Sequence, residues 1–196
     1  MSDVFNMGGV FKINSESRNE TMDFGAYNGS MNIRIWRNGG GQNGTTVRVS
    51  PEYYTCIRDA INDTMKGVPG AAFPIITLKW DPNTKKKDIQ NTLIIGKDTN
   101  GIFYVEFKEP DFAPLKFPLL GSKNIDFGGV TDDAGRSVRM FKAFAAFVNQ
   151  QWPISTYFTR NNLVKPGQKG SGVGGGYNTP PAQSSVSSSE DNDNIY

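Results

Sequence analysis

Cations are interleaved with aromatic side chains in three separate stretches of this chain. Arg34, Trp36 and Arg37 fall together, with Arg48 on the segment that follows; Lys79 and Trp80 precede Lys85, Lys86 and Lys87; Phe103, Tyr104 and Lys108 form the third group. Guanidinium and ammonium groups neutralise phosphates, and an aromatic face stacks on an unpaired base for ~1–3 kcal/mol per base. These are the residue types that single-stranded nucleic acid requires. Taken singly, each aromatic fits a core position more simply, because aromatics are mostly buried. Trp36 is the better candidate for exposure, since alternation puts it on one strand face with Asn32 and Arg34.

Other chemistries have little to work with. Histidine is absent, which removes the usual general base near neutral pH, the commonest metal ligand and every Ser/His/Asp or Cys/His arrangement. Cys56 is the only cysteine, so no intrachain disulfide or thiolate zinc cluster forms, and a reducing compartment is expected. Cys56 sits on a predicted helix away from any activating group and reads as a small buried hydrophobe. No phosphate-loop or dinucleotide fingerprint occurs. Gly39-Gly40-Gly41 joins two predicted strands, and the glycines of 172–176 lie in a Gly/Ser-rich segment. Asp132-Asp133 and the pair Asp59 and Asp63 could hold Mg²⁺ in principle, but a helix cap and a polar helix face explain them more simply. The expectation is a binding protein, not an enzyme, with no cofactor and no metal.

The candidate side chains need strands to carry them. Short strands are predicted at 10–13, 22–27, 31–37 and 45–49. In the third, Met31, Ile33 and Ile35 face one way and Asn32, Arg34 and Trp36 the other. Ser50, Pro51 and Glu52 start a helix over 51–66 whose Tyr53, Ile57, Ala60 and Ile61 make one apolar face. A second run of strands is predicted at 73–80, 91–97, 102–108 and 115–120, with Lys85, Lys86 and Lys87 on a hairpin tip. Pro114 and Pro118 push the last strand to an edge. A helix over 134–152 then buries Val138, Phe141, Phe144, Ala145, Val148 and Trp152. In each half an Asn-Gly turn (Asn28-Gly29, Asn100-Gly101) opens an aromatic and basic strand, which suggests a degenerate duplication.

Composition shifts near Val164. Of the 21 cations only Lys169 lies beyond Lys165, whereas three of the 19 acids, Glu190, Asp191 and Asp193, lie there. Residues 1–165 therefore carry +4, and the remainder carries −2 before its terminal carboxylate is counted. Residues 165–189 are Gly, Ser, Pro, Gln and Asn with almost nothing apolar, the composition of a disordered linker. The chain then closes on Glu190-Asp191-Asn192-Asp193-Asn194-Ile195-Tyr196.

A basic β-rich body, such a linker and an acidic tip ending in an apolar–aromatic pair resemble the single-stranded DNA-binding proteins of bacteria and their phages. In the bacterial family the tip reads Asp-Asp-Asp-Ile-Pro-Phe; here asparagines separate the acids, proline is missing and Tyr stands for Phe. The resemblance covers about thirty C-terminal residues by layout and no motif of the body. It implies that Ile195 and Tyr196 anchor replication enzymes (polymerase, helicase or primase), that Asp191 and Asp193 meet basic rims on them, and that the tail competes with DNA.

The fold expected is α+β and mainly antiparallel: an OB-fold-like barrel over residues 10–120 with an added C-terminal helix. The alternative is a duplicated sheet-plus-helix body resembling the Whirly and PC4-like single-stranded DNA binders. The expected organisation is a binding domain at 1–164, a linker at 165–189 and a docking tip at 190–196. The expected function is sequence-nonspecific binding and protection of single-stranded DNA in replication and recombination, with a homo-oligomer allowed. A virion or scaffold protein without DNA-binding activity is the alternative. No apolar run approaches ~20 residues and the N-terminus is not a signal peptide, so no membrane partner and a cytoplasmic location (the host's, if phage-encoded) are expected.

Overall fold

The helix-start signals at Ser50 and Pro51 act as the sequence predicts. In the computed structural model, which describes residues 10–17, 19–27, 29–37, 44–121 and 128–160, α1 (Pro51–Lys66) begins where the Ser50 hydroxyl accepts the Tyr53 N–H at 3.2 Å. Tyr53, Ile57, Ala60 and Ile61 are buried along one side of it. Cys56, expected in the core, is instead exposed, because it lies off that stripe.

The strands fall into two antiparallel sheets of four, one before α1 and one after. The first runs in chain order through β1 (Phe11–Asn14), β2 (Thr21–Tyr27), β3 (Ser30–Trp36) and β4 (Gly44–Arg48). The second runs through β5 (Ala72–Asp81), β6 (Lys86–Lys97), β7 (Phe103–Glu109) and β8 (Phe112–Pro118). The chain is thus α+β with a C-terminal helix. An OB-fold-like barrel is not confirmed: the eight described strands make two separate four-stranded ladders, and no closed barrel is formed among them. The element order, four strands then helix, twice over, is the repeated one. β8, with Pro114 and Pro118, is an edge strand as expected. Lys86 and Lys87, expected on a hairpin tip, belong to β6; only Lys85 of the three is in the turn, at φ 53°.

The last helical stretch is longer than its apolar stripe suggests. It comprises α2 (Asp133–Ala146), a π-helical turn (Phe147–Gln151) and α3 (Trp152–Arg160). Asp132 caps it, accepting the Gly135 N–H at 2.7 Å. Pro153 reads as a stop, since it has no N–H and its ring crowds the carbonyl four residues back. The wide turn that precedes it, in which the Trp152 N–H donates to Phe147 O, lets the helix continue.

One core joins both sheets and all the helices. Phe24, Ile33 and Ile35 of the first sheet, Leu93, Val105 and Phe107 of the second, and Ile57, Phe141, Phe144 and Trp152 of the helices belong to it. The packing is reciprocal. α1, which follows the first sheet, packs on β5 and β6, whereas α3, which follows the second, packs on β2 and β3. Two buried hydrogen bonds pin these crossings: the Trp152 indole N–H donates to Gly25 O at 2.8 Å, and the Thr64 hydroxyl lies 3.1 Å from Ile95 O. The Tyr54 hydroxyl donates to Val148 O at 2.9 Å, tying α1 to the π turn. Among the described residues no helix is long and apolar enough to cross a membrane.

Candidate nucleic-acid interface

Alternation on β3 buries Ile33 and Ile35 and leaves Arg34 and Trp36 half-buried on the opposite side of the sheet. The ladder registers set these side chains in rows. One row crosses all four strands as Lys12, Asp23, Arg34 and Thr46; the next holds Asn14, Thr21, Trp36 and Gly44. Arg48 is exposed on β4 opposite Asn32. Asp23 is the hub. It is 5% exposed, accepts the Trp36 indole N–H at 3.1 Å, and sits 3.6 Å from the Arg34 guanidinium and 3.9 Å from the Lys12 ammonium. The guanidinium of Arg34 lies 5.9 Å from the Trp36 ring centre. The Trp36 ring lies across the backbone of Gly44, where a β-carbon would stand 3.0 Å from Trp36 Cε3.

The outer side of the second sheet repeats this arrangement on its own third strand. Phe103, Val105 and Phe107 of β7 turn inward, while Tyr104, Glu106 and Lys108 turn outward and are partly exposed. Tyr104 is paired with Gly96 and lies across it. The Lys116 ammonium is 4.2 Å from the Tyr104 ring centre, and Lys108 pairs with Glu106 at 3.3 Å. Partial burial holds the Tyr104 hydroxyl above its ordinary pKa, with the Glu106 and Asp98 carboxylates adding to the effect. The ring is therefore neutral and uncharged across the physiological range.

The β5–β6 hairpin reaches past the rest of its sheet. β7 pairs with β6 only from Thr92 to Lys97, so residues 86–91 have β5 as their sole neighbour. Trp80 faces Lys87 across this arm, Lys79 faces Asp88, and Asp81 faces Lys86. At the turn, Asp81 accepts the Asn83 N–H at 2.9 Å and the Thr84 hydroxyl at 2.9 Å, and these bonds hold its carboxyl below the usual range.

The sequence-predicted residues are thus distributed over three surfaces. Arg34, Trp36 and Arg48 share the outer side of the first sheet; Tyr104 and Lys108 share that of the second; Lys79, Trp80, Lys85, Lys86 and Lys87 are on the arm. Phe103 is not an interface residue: it is 2% exposed and stacks on Phe141 with ring centres 4.1 Å apart. Arg37 is engaged between the sheets. It pairs with Glu109, donates to the Thr45 hydroxyl at 2.9 Å and lies 4.3 Å over the Phe112 ring. Of the tryptophans, Trp80 rather than Trp36 is the more exposed, at 54%. Asp191, Asp193, Ile195 and Tyr196, and the linker before them, lie outside the described residues. Sequence reasoning missed Lys116, whose outward direction follows from the inward Leu115 and Phe117, and it missed Asp23, Gly44 and Gly96. Among the described residues no group of three or more His, Cys, Asp or Glu side chains is placed to hold a metal ion.

No family model, no curated protein and no solved structure matches this chain.

Proposed function

We propose that this protein binds single-stranded nucleic acid, in the first place DNA, through the outer faces of its two sheets and with little regard to sequence. One observation carries the reading. The third strand of each sheet presents an aromatic ring laid across a cross-strand glycine with a cation beside it: Trp36 on Gly44 with Arg34, and Tyr104 on Gly96 with Lys116. A ring held against backbone is already ordered, so a base that stacks on it has less entropy to overcome. Lys12, Arg48 and Lys108 supply phosphate contacts around these platforms, and Lys85 and Lys87 extend the cationic surface along the arm, with Lys86 on its other side. The protein acts as a binder and not as a catalyst, in DNA replication and recombination in the cytoplasm.

The repeated four-strands-then-helix order supports a relation of plan to the duplicated Whirly and PC4-like binders that such a body resembles. The acidic tip from Glu190 to Tyr196 recruits replication enzymes, with Ile195 and Tyr196 as anchors. Removing residues 187–196 then preserves or tightens DNA binding while ending recruitment.

The test is fluorescence. Trp152 is fully buried, so quenching reports on Trp36 and Trp80. Oligo-dT is expected to quench emission at low salt, with affinity falling as salt rises by ~0.7 log units per neutralised phosphate for each decade. Absence of quenching and of a gel shift at low salt would overturn the reading.

A further inference from the structure

Beyond the body of the second sheet, the arm inverts the usual distribution of side chains. The side continuous with the core carries Lys79, Asp81, Lys86 and Asp88, set as opposite charges across the ladder. The side continuous with the outer face carries Ile76, Leu78, Trp80 and Ile89, each 52–54% exposed. Ile76, Leu78 and Trp80 alternate on β5, and the bulge between Thr77 and Leu78 brings Ile89 opposite Leu78. A charged side toward the core and an apolar side toward solvent is the wrong way round for a hairpin that ends in water. An isolated two-stranded ribbon is also marginal on its own.

We propose that this stripe of Ile76, Leu78, Trp80 and Ile89 packs against the same stripe of a second copy of the chain, so that the protein self-associates through its arms. The stripe is complementary to itself. Lys87 is its single charged side chain. Turning the second arm end for end sets Trp80 over the partner's Ile76 and Lys87 over the partner's Thr92, and aligning the arms side by side sets Lys87 over the partner's Trp80. The second brings a cation to an indole face. The first brings Lys87 toward the partner's Lys108, which faces Thr92 across the ladder and is paired with the partner's Glu106. The paired charges on the other side need no cover, which suits a contact made by one face only. Three of the four side chains are aliphatic and offer no π face, so bases are a poor occupant for them. The stripe presents on the order of 400 Å² per copy, about half of what a standard interface buries on each partner, so the association is weak and concentration-dependent.

Sedimentation equilibrium of the full chain from ~1 μM to ~1 mM should show reversible dimer formation, and Ile76→Thr/Leu78→Thr/Ile89→Thr should weaken it at least ten-fold while far-UV circular dichroism is kept. Oxidation in a Cys56→Ser background gives a second readout that does not depend on removing apolar groups. Leu78→Cys should yield covalent dimers, and Lys79→Cys, on the other face of the same strand, should not. A chain that stays monomeric throughout, or association unaffected by the triple substitution, overturns the proposal. So does equal cross-linking from both cysteine positions. A monomeric wild type whose oligo-dT affinity falls on the triple substitution would assign the stripe to nucleic acid instead. Loss of oligo-dT binding by the sheet-face platforms leaves this inference standing, since it rests on the arm alone.

Discussion

Tyr104 lies across Gly96, its opposite neighbour on β6, so closely that a β-carbon on the glycine would stand 2.7 Å from Tyr104 Cζ. The residue facing an outer aromatic thus decides whether the ring lies flat or stands up. Gly96→Ala is expected to lift the ring, cost about 1 kcal/mol of stability and weaken oligo-dT binding ~5-fold or more, approaching Tyr104→Ala. Equal affinities of wild type and Gly96→Ala would mean that the flat ring is not a platform.

Asp23 neutralises Arg34 and Lys12 while holding the Trp36 indole. Asp23→Asn keeps an acceptor for that N–H and removes the charge. At low salt, oligo-dT affinity should rise several-fold, and the salt dependence should steepen by up to ~0.7 for one more phosphate engaged. An unchanged salt slope would show that phosphates do not approach this row.

Arg37 and Glu109 are largely buried between the sheets, with side chains 14% and 15% exposed. Removing one member leaves the other charge in place without its partner. Arg37→Ala and Glu109→Ala should each cost about 2 kcal/mol in urea unfolding, with the double variant costing well under their sum. Oligo-dT affinity of Arg37→Ala should stay within about two-fold of wild type at temperatures where it is folded. A large affinity loss with stability intact would return Arg37 to the DNA-contacting set.

Tyr53 keeps its hydroxyl in the core without a hydrogen-bond partner. Burial, and secondarily Cys56, pushes its pKa far above the tyrosine range. The folded state therefore holds this proton more tightly than the unfolded chain. The associated stability is present below about pH 10 and is lost as pH climbs toward the folded value. Tyr53→Phe should be neutral or up to ~1 kcal/mol stabilising at neutral pH, and its advantage should grow at about pH 11. Tyr54, raised by burial as well, stays in the variant and continues to contribute alkaline loss. A destabilised variant at neutral pH would show that the hydroxyl is satisfied in solution.

Local signals in the sequence reached far into the fold. The cap at Ser50, the apolar stripe of α1 and the parity of β3 rest on contacts a few residues apart, and each is legible from spacing. Parity on β7 was equally available: Val105 and Phe107 alternate with Phe103, which places Phe103 inside and Tyr104 outside. What spacing could not convey is how far each strand outlasts its neighbours. Ile76, Leu78 and Trp80 alternate like core residues, yet they are half exposed because they lie on the outer side of the sheet, and past Thr92 no β7 residue flanks them. The start of β6 was hidden by Lys86, Lys87 and Asp88, which suit a two-sided exposed ribbon. Arg37 looked like a phosphate ligand because its partner, Glu109, lies 72 residues away.

The crossing of α1 onto the second sheet and α3 onto the first has a consequence for how the chain comes into being. A break in the connection between Lys66 and Ala72 would part α1 from the second sheet and α3 from the first, so each fragment would lack a helix that its sheet packs against. Such fragments should be unfolded apart and regain structure only when mixed. The repeat is visible in the order of elements, but the unit of folding, and of any evolutionary rearrangement that keeps a folded product, is the interlocked pair.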